Sequence, residues 1–588
     1  MHVALLYPPP FAIPPYGKIR PPQDALPPSG WNPSHRWAGD EISTPYGLMS
    51  IAAQLETDGI LVTLLNLYTF SWEEVVSVLA RLDADIFGLS CLTANRRGVE
   101  AVGRSIRRQH PNTCIVVGGP HVTALAQDTL RHWSWLDAVA VGEGESTFRE
   151  LTARHRERKP FFDLAGLVYR SGGRIHAGPP RRPIGSLDSL VPPPVRFPIN
   201  VFLSARGCPN RCTFCASPSM WPGRVRFLSA QAALDVLEHM VSQNRQRMIS
   251  IKDDTFCCDR RRVLEICHGI QRRGLRFLWN CDTRADSLDE EVLEAMCRAG
   301  CRRISIGVES AAPEILSAVR KRLSPQTVVR ATDMAKMFGF DIRYYMMAGN
   351  RGETAETLET SIAFLYEARP TSFVFSILSL YPGTEEFLMA ERAGQADREM
   401  FFSSDLPVFK AFFKKKGGER LLSALQWVLD HQREKEFFQY SIGQRRRILR
   451  RLPDLPAAHL ELGKAMLAAG ECGRAETHLR AALKMGYPLP GPVWNDLAVS
   501  AAWQGQCQRA EKRLYRAFDT WPHPLVADNL DRLHQWRRST APPPLQPAGH
   551  QDLDRIAAIR QPAEPGPIHP EDLPNFSIAA QSGNGTEF

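Results

Sequence analysis

The sequence has no run approaching the ~18 uninterrupted apolar residues of a membrane-spanning helix, which excludes that class of membrane protein. Its start lacks a basic stretch followed by a long apolar one. Met1 to Tyr7 reads as a short buried strand entering Pro8-Pro9-Pro10, so no export signal is expected. A large excess of one charge is missing too: the net charge is +9 over 588 residues, and much of it lies in arginine-rich stretches such as Arg445 to Arg451. No nucleic-acid-binding signature accompanies that charge, so it reads as a solvated basic face, with neither nucleic acid nor membrane as partner. Gly-x-Gly-x-x-Gly is absent, and with it the usual dinucleotide fingerprint. What remains, 44% hydrophobic and 23% charged residues, is a soluble globular composition long enough for three or four domains. Thirteen cysteines without an export signal point to a reducing, cytoplasmic compartment, where thiols bind metal or pack as small hydrophobes.

Three of those cysteines carry the strongest signal. Cys208, Cys212 and Cys215 stand in Arg-Gly-Cys-Pro-Asn-Arg-Cys-Thr-Phe-Cys, a Cys-x3-Cys-x2-Cys spacing, directly after the apolar segment Ile199 to Ser204. Each thiolate can hold one iron of a [4Fe-4S] cluster, leaving the fourth iron open to a chelating substrate such as S-adenosylmethionine. A structural zinc site needs four ligands, and no second Cys-x2-Cys pair lies nearby. Cys257, Cys258, Cys267, Cys281, Cys297 and Cys301 lack compact spacing and read as buried free thiols.

From residue 1 to about 190, apolar runs at Val3 to Leu6, Val62 to Leu67, Ile86 to Ser90, Ile115 to Val117 and Ala138 to Val141 alternate with amphipathic stretches, a parallel α/β pattern. Two runs end in Val117-Gly118-Gly119-Pro120-His121 and Val141-Gly142-Glu143-Gly144-Glu145, where small residues let a ligand approach the sheet's carboxyl edge. Further apolar runs at Met248 to Ile251, Phe277 to Trp279, Ile304 to Val308, Ile342 to Met347 and Phe373 to Leu378 join Ile199 as six βα units, enough for an incomplete, laterally open barrel.

Taken together, Ala84 to Ser90, Val116 to His121 and Gly142 to Glu145 closely resemble the cobalamin-binding domain that precedes many radical SAM domains, and the region after residue 190 resembles the radical SAM superfamily itself. The fold implied is α/β: a Rossmann-like cobalamin-binding domain (1–190), a partial (βα)6 TIM-type barrel (191–405), a helical connector (406–455) and a C-terminal α-helical repeat domain (456–538), with a disordered tail (539–588). The Asp-x-His-x-x-Gly of a larger cobalamin group is absent, implying a lower face without a histidine ligand. The resemblance implies cobalamin contacts at Ser90, Thr93, Asn95, Gly118, Gly119, His121, Gly142 and Glu143, with His121 a hydrogen-bonding loop residue and not an axial ligand. Contacts to S-adenosylmethionine are implied at Asp254, Arg284 and Glu309, and Asp253 shares the same rim. Ala348 to Thr354 resembles the loop where adenine packs, with Arg351 where proline is frequent, and Phe214 takes the family's aromatic position beside the third cysteine.

The chemistry implied is methyl transfer from methylcobalamin to an unactivated carbon of a small-molecule or carrier-bound substrate, with an external electron donor; similar two-cofactor enzymes carry out oxidative cyclisation or ring rearrangement. A non-catalytic cobalamin sensor would leave the three cysteines unexplained. Residues 457 to 522 repeat at a 35-residue offset, pairing Leu462 with Leu497, Ala475 with Ala510, Leu479 with Leu514 and Ala482 with Ala517. Two such copies resemble tetratricopeptide repeats, which implies a docking surface for a protein partner. Leu421 to Tyr440 is expected as a helix packed beside them.

Overall fold

Apolar runs separated by amphipathic segments build two parallel sheets in the computed structural model, which describes residues 1–9, 44–70, 72–161, 163–403, 418–434, 436–536 and 545–548. The proline-rich stretch beyond residue 9 and most of the tail from 539 lie outside the described residues, but 545–548, expected to be disordered with the rest of that tail, are ordered because Asn529 and Asp496 hold their main chain. In the first sheet, β1 (His2–Tyr7), β2 (Leu61–Asn66), β3 (Ile86–Ser90), β4 (Cys114–Gly118) and β5 (Ala138–Ala140) are mutually parallel. The antiparallel pair β6 (Leu167–Ser171) and β7 (Arg174–Ala177) extends it, in the order 2-1-3-4-5-6-7. The order reverses between β1 and β3, and a doubly wound sheet opens its ligand crevice at the carboxyl ends around such a reversal. The β6–β7 hairpin turns on Gly172 and Gly173, both at positive φ, a two-glycine turn that periodicity alone does not register.

The second sheet starts at β8 (Val201–Phe202). Next come β9 (Ala205–Arg206) and β10 (Arg226–Phe227), a separate antiparallel pair flanking the cysteine loop. Then β11 (Met248–Ile251), β12 (Leu278–Thr283), β13 (Cys301–Glu309), β14 (Asp341–Ala348) and β15 (Ser372–Ile377) run parallel, with β8 beside β11. An antiparallel strand, β16 (Arg433–Glu434), pairs with β15 at the far edge, so the six parallel strands stay open instead of closing on β8. The strand expected from Ile199 to Ser204 is shorter because the amides of Ser204 and Ala205 leave the ladder and donate to the buried Asp253 carboxylate at 2.6 and 2.9 Å. The helix expected through Tyr440 ends at Asp430, where the chain turns to form β16.

After β15 the chain returns to the first sheet's side. Phe387, Ala390 and Phe401 bury against Leu125, and Arg398 pairs with Asp128. Beyond β16, the helices Pro456–Ala468 and Cys472–Lys484 recur as Pro490–Trp503 and Cys507–Thr520, followed by Pro524–Trp536. All eight residues paired by the 35-residue offset are at most 1% exposed, so small alanines and filling leucines recur in phase as the packed face of each helix pair.

Candidate cluster and cofactor site

The cysteine loop follows β9 and is pinned from both sides at Thr213, whose N–H donates to the Val319 carbonyl at 3.1 Å and whose carbonyl accepts from Glu386 N–H at 2.9 Å. Asn210 Nδ2 donates to Cys208 Sγ at 3.5 Å, and Ser217 N–H donates to Cys215 Sγ at 3.4 Å. Burial pushes the Cys215 thiol up to about 12, with Asp254 and the other two cysteines adding to the shift. Among the described residues no three His, Cys, Asp or Glu side chains converge to hold a single ion. The three cysteine thiols fit a four-iron cluster, which would take one thiolate on each of three irons, whereas a closed tetrahedral zinc site would need a fourth ligand.

The rim around that loop gathers the expected acidic and basic residues. Asp254 accepts from Ser217 Oγ at 2.6 Å, so this carboxylate fixes the residue that donates to Cys215. Burial raises the pKa of Asp254 above the usual carboxylate range. Glu309 ends β13 in left-handed backbone, φ 68°, and pairs with Lys321 Nζ at 2.8 Å. A Cβ on Gly307 would stand 2.7 Å from that ammonium, so glycine keeps the space for the pair. Arg284 grips Asp286 through two bonds of 2.9 and 2.7 Å and donates to the carbonyls of Lys321 and Arg322. Thus Arg284 and Glu309 meet through the Lys321 segment, which sequence reading did not single out. Asp253 is occupied by Ser204 and Ala205. In the loop after β14, Glu353 accepts from the Gly349 and Asn350 amides, and burial brings its pKa up to about 7. Asn350 Oδ1 is buried there without a partner, and Arg351 is tied to Glu386 at 2.9 Å. Outside the motif, Cys257, Cys267, Cys281, Cys297 and Cys301 are buried and unbridged, and Cys258 is half-buried and free.

At the first sheet's carboxyl edge, Ser90, Thr93 and Asn95 follow β3, and Gly118, Gly119 and His121 follow β4. Asn95 is committed to the chain itself: Nδ2 donates to the Pro8 and Ser90 carbonyls, and Oδ1 accepts from Leu92 N–H. His121 is buried, with Nδ1 3.1 Å from Thr93 Oγ1, its ring edge-on to Phe401, and Nε2 without a partner. Burial, helped by Arg96, lowers its pKa to about 3, so the imidazole is neutral. Gly119 has φ 113° and would put a Cβ 2.6 Å from the Cys91 carbonyl oxygen. Gly142 has φ 77° with nothing within 4 Å of such a Cβ. An edge with an open glycine turn and an orphaned buried imidazole nitrogen fits a large planar group lying over it.

Glu143 faces the barrel. Its carboxylate takes Arg206 at 2.7 Å, Arg226 at 2.8 Å and the Ile184 amide at 2.8 Å. Glu145 takes Arg206 at 2.5 Å and Ser50 Oγ at 2.6 Å. Arg206 is two residues before Cys208, so the turn after β5 grips the base of the cysteine loop through charges buried on both sides. A second junction lies at Gly383, where an added Cβ would come 2.8 Å from Ala124 of the first domain and 3.4 Å from Ser219 of the helix following Cys215. The two carboxyl edges therefore face each other. The signal for this was Glu145, in the same motif as Glu143, and Arg206, beside the first cysteine.

Two family models match the chain, one over each parallel sheet. The radical SAM superfamily matches residues 202–365, and the B12 binding domain matches residues 40–152. An uncharacterized methyltransferase of Pyrococcus horikoshii is 31% identical over 54% of this chain and 71% of its own length. An anaerobic magnesium-protoporphyrin IX monomethyl ester cyclase of Rubrivivax gelatinosus is 26% identical over 54% of this chain, which spans 60% of that relative. The structure of the radical S-adenosylmethionine methyltransferase TsrM of Kitasatospora setae, with cobalamin and a [4Fe-4S] cluster bound, covers 88% of this chain and 99% of its own, at 17% identity and a TM-score of 0.55. The chain belongs to the radical SAM enzymes that carry a B12-binding domain, and its cofactors are a [4Fe-4S] cluster, S-adenosylmethionine and cobalamin.

Proposed function

We propose that this enzyme transfers a methyl group from cobalamin to an unactivated carbon of a small-molecule or carrier-bound substrate, in secondary-metabolite tailoring. The observation that carries the reading is the junction of Glu143 and Glu145 with Arg206 and Arg226, which fixes the cobalamin edge against the cysteine loop. When bound, the cluster supplies the electron that cleaves S-adenosylmethionine, and cobalamin supplies the methyl group. The chain's part is placement. Cys208, Cys212 and Cys215 hold the cluster, Asp254, Arg284 and Glu309 orient S-adenosylmethionine, and Ser90, Thr93, Gly118, Gly119, His121 and Gly142 line the cobalamin edge. Asn95 shapes that edge from behind, and Glu143 ties it to the barrel. A substrate carbon held between the edges meets both cofactors, with proximity supplying much of the rate.

The division into units at 1–190, 191–405, 406–455, 456–538 and 539–588 follows the same reading. A cytoplasmic setting supplies the external electron donor, and the C-terminal helix pairs are tetratricopeptide-like. Likeness to the Rubrivivax cyclase favours oxidative ring closure as the second reading. Incubation of the anaerobically loaded enzyme with candidate substrates and methyl-labelled S-adenosylmethionine separates them. Label in the product establishes methylation. A product two hydrogens lighter without label establishes cyclisation and overturns the first reading.

A further inference from the structure

Residues 545–548 lie across the last helices and are held there by their main chain. Asn529 Nδ2 donates to the Gln546 carbonyl at 2.7 Å while Asn529 Oδ1 accepts from Gln546 N–H at 2.8 Å, so one side-chain amide pairs with a peptide group in both directions. Asn495 Nδ2 donates to the same carbonyl at 3.2 Å, and Asp496 Oδ1 accepts from Ala548 N–H at 2.7 Å. Asn495 and Asp496 belong to helix Pro490–Trp503 and Asn529 to Pro524–Trp536, and all three are fully buried. Leu545 and Ala548 are buried, whereas Gln546 is exposed.

Without a peptide in place these polar groups would lose partners inside the helices, and an unpaired buried donor or acceptor costs on the order of 1–3 kcal/mol. The groove is therefore built to take main chain, and the buried Leu545 and Ala548 supply the side-chain selection. Asp496 Oδ2 is also buried and has no partner, an acceptor that the four residues leave unused. We propose that this groove is a binding site for a non-helical polypeptide segment, and that residues 545–548 are a tethered occupant displaced by a partner segment with leucine followed three positions on by alanine.

A labelled peptide with the sequence of residues 541–552 tests this by fluorescence polarisation, against the full chain and a chain ending at residue 538. The shortened chain should bind saturably and the full chain at least tenfold more weakly, because a tethered occupant competes at roughly millimolar effective concentration. Asn529→Ala in the shortened chain should weaken binding tenfold or more with iron content unchanged. If the shortened chain is misfolded, the full chain carrying Leu545→Asp, which releases the occupant, is measured instead. No binding to the opened groove, or equal binding to the full and opened chains, overturns the proposal. Equal binding of a peptide with both the leucine and the alanine replaced by aspartate overturns the side-chain selection.

Discussion

Two of the three cysteines are supported by a neighbour: Asn210 donates to Cys208 and Ser217 to Cys215, and Asp254 holds Ser217. Asp254→Ala should therefore leave the thiols in place but free Ser217. The reconstituted protein should keep its iron while the reduction potential of the cluster shifts, since hydrogen bonds to the sulfurs tune it. An unchanged potential would show that the Ser217 contact is idle. His121 makes a second prediction at this scale. Its folded pKa of about 3 lies below the ordinary 6.5 because burial, and then Arg96, disfavour the charged ring. The unfolded chain takes up that proton as pH falls through 6.5, and the folded chain does so only near 3. Stability present above pH 6.5 is therefore lost on acidification, by about 2 kcal/mol at pH 5. His121→Phe should flatten that part of the slope in urea unfolding at pH 7 and pH 5. Equal slopes for the two proteins would contradict the assignment.

Among the structural elements, the strands were legible where they are buried on both faces: β1 and β3 fall where continuous buried runs place them. Shortening of β8 was not legible, because it depends on a carboxylate from 49 residues away claiming its amides. Among the site residues, the cysteines were legible from spacing alone. Lys321 and Arg226 were not, since a single arginine or lysine has no pattern until its partner is known. Glycine turns carry distinct predictions. Gly142→Ala meets only backbone strain, about 1 kcal/mol, and should lower cobalamin affinity far more than stability. Gly119→Ala adds a clash with the Cys91 carbonyl and should damage folding itself. Thermal melts of both proteins, read beside cobalamin titrations, separate the two effects, and a Gly142→Ala protein binding cobalamin normally would remove that turn from the cofactor edge.

For the molecule as a whole, the account rests on two sheets whose carboxyl edges are held face to face. Arg206→Gln leaves Glu145 buried without its cationic partner, which costs about 3–5 kcal/mol where a buried pair is broken. Urea unfolding should show that loss, and little change would mean the junction is solvated. Gly383→Val, wedged between Ala124 and Ser219, should spread the edges while each cofactor still binds. The central claim is tested most directly by electron paramagnetic resonance on the anaerobically reconstituted chain carrying a reduced cluster and cob(II)alamin. The account predicts about four irons per chain and a magnetic interaction between the two centres that weakens in Gly383→Val. Two fully occupied centres whose signals superpose without interaction, or a chain with intact cysteines that takes up no iron, would contradict it.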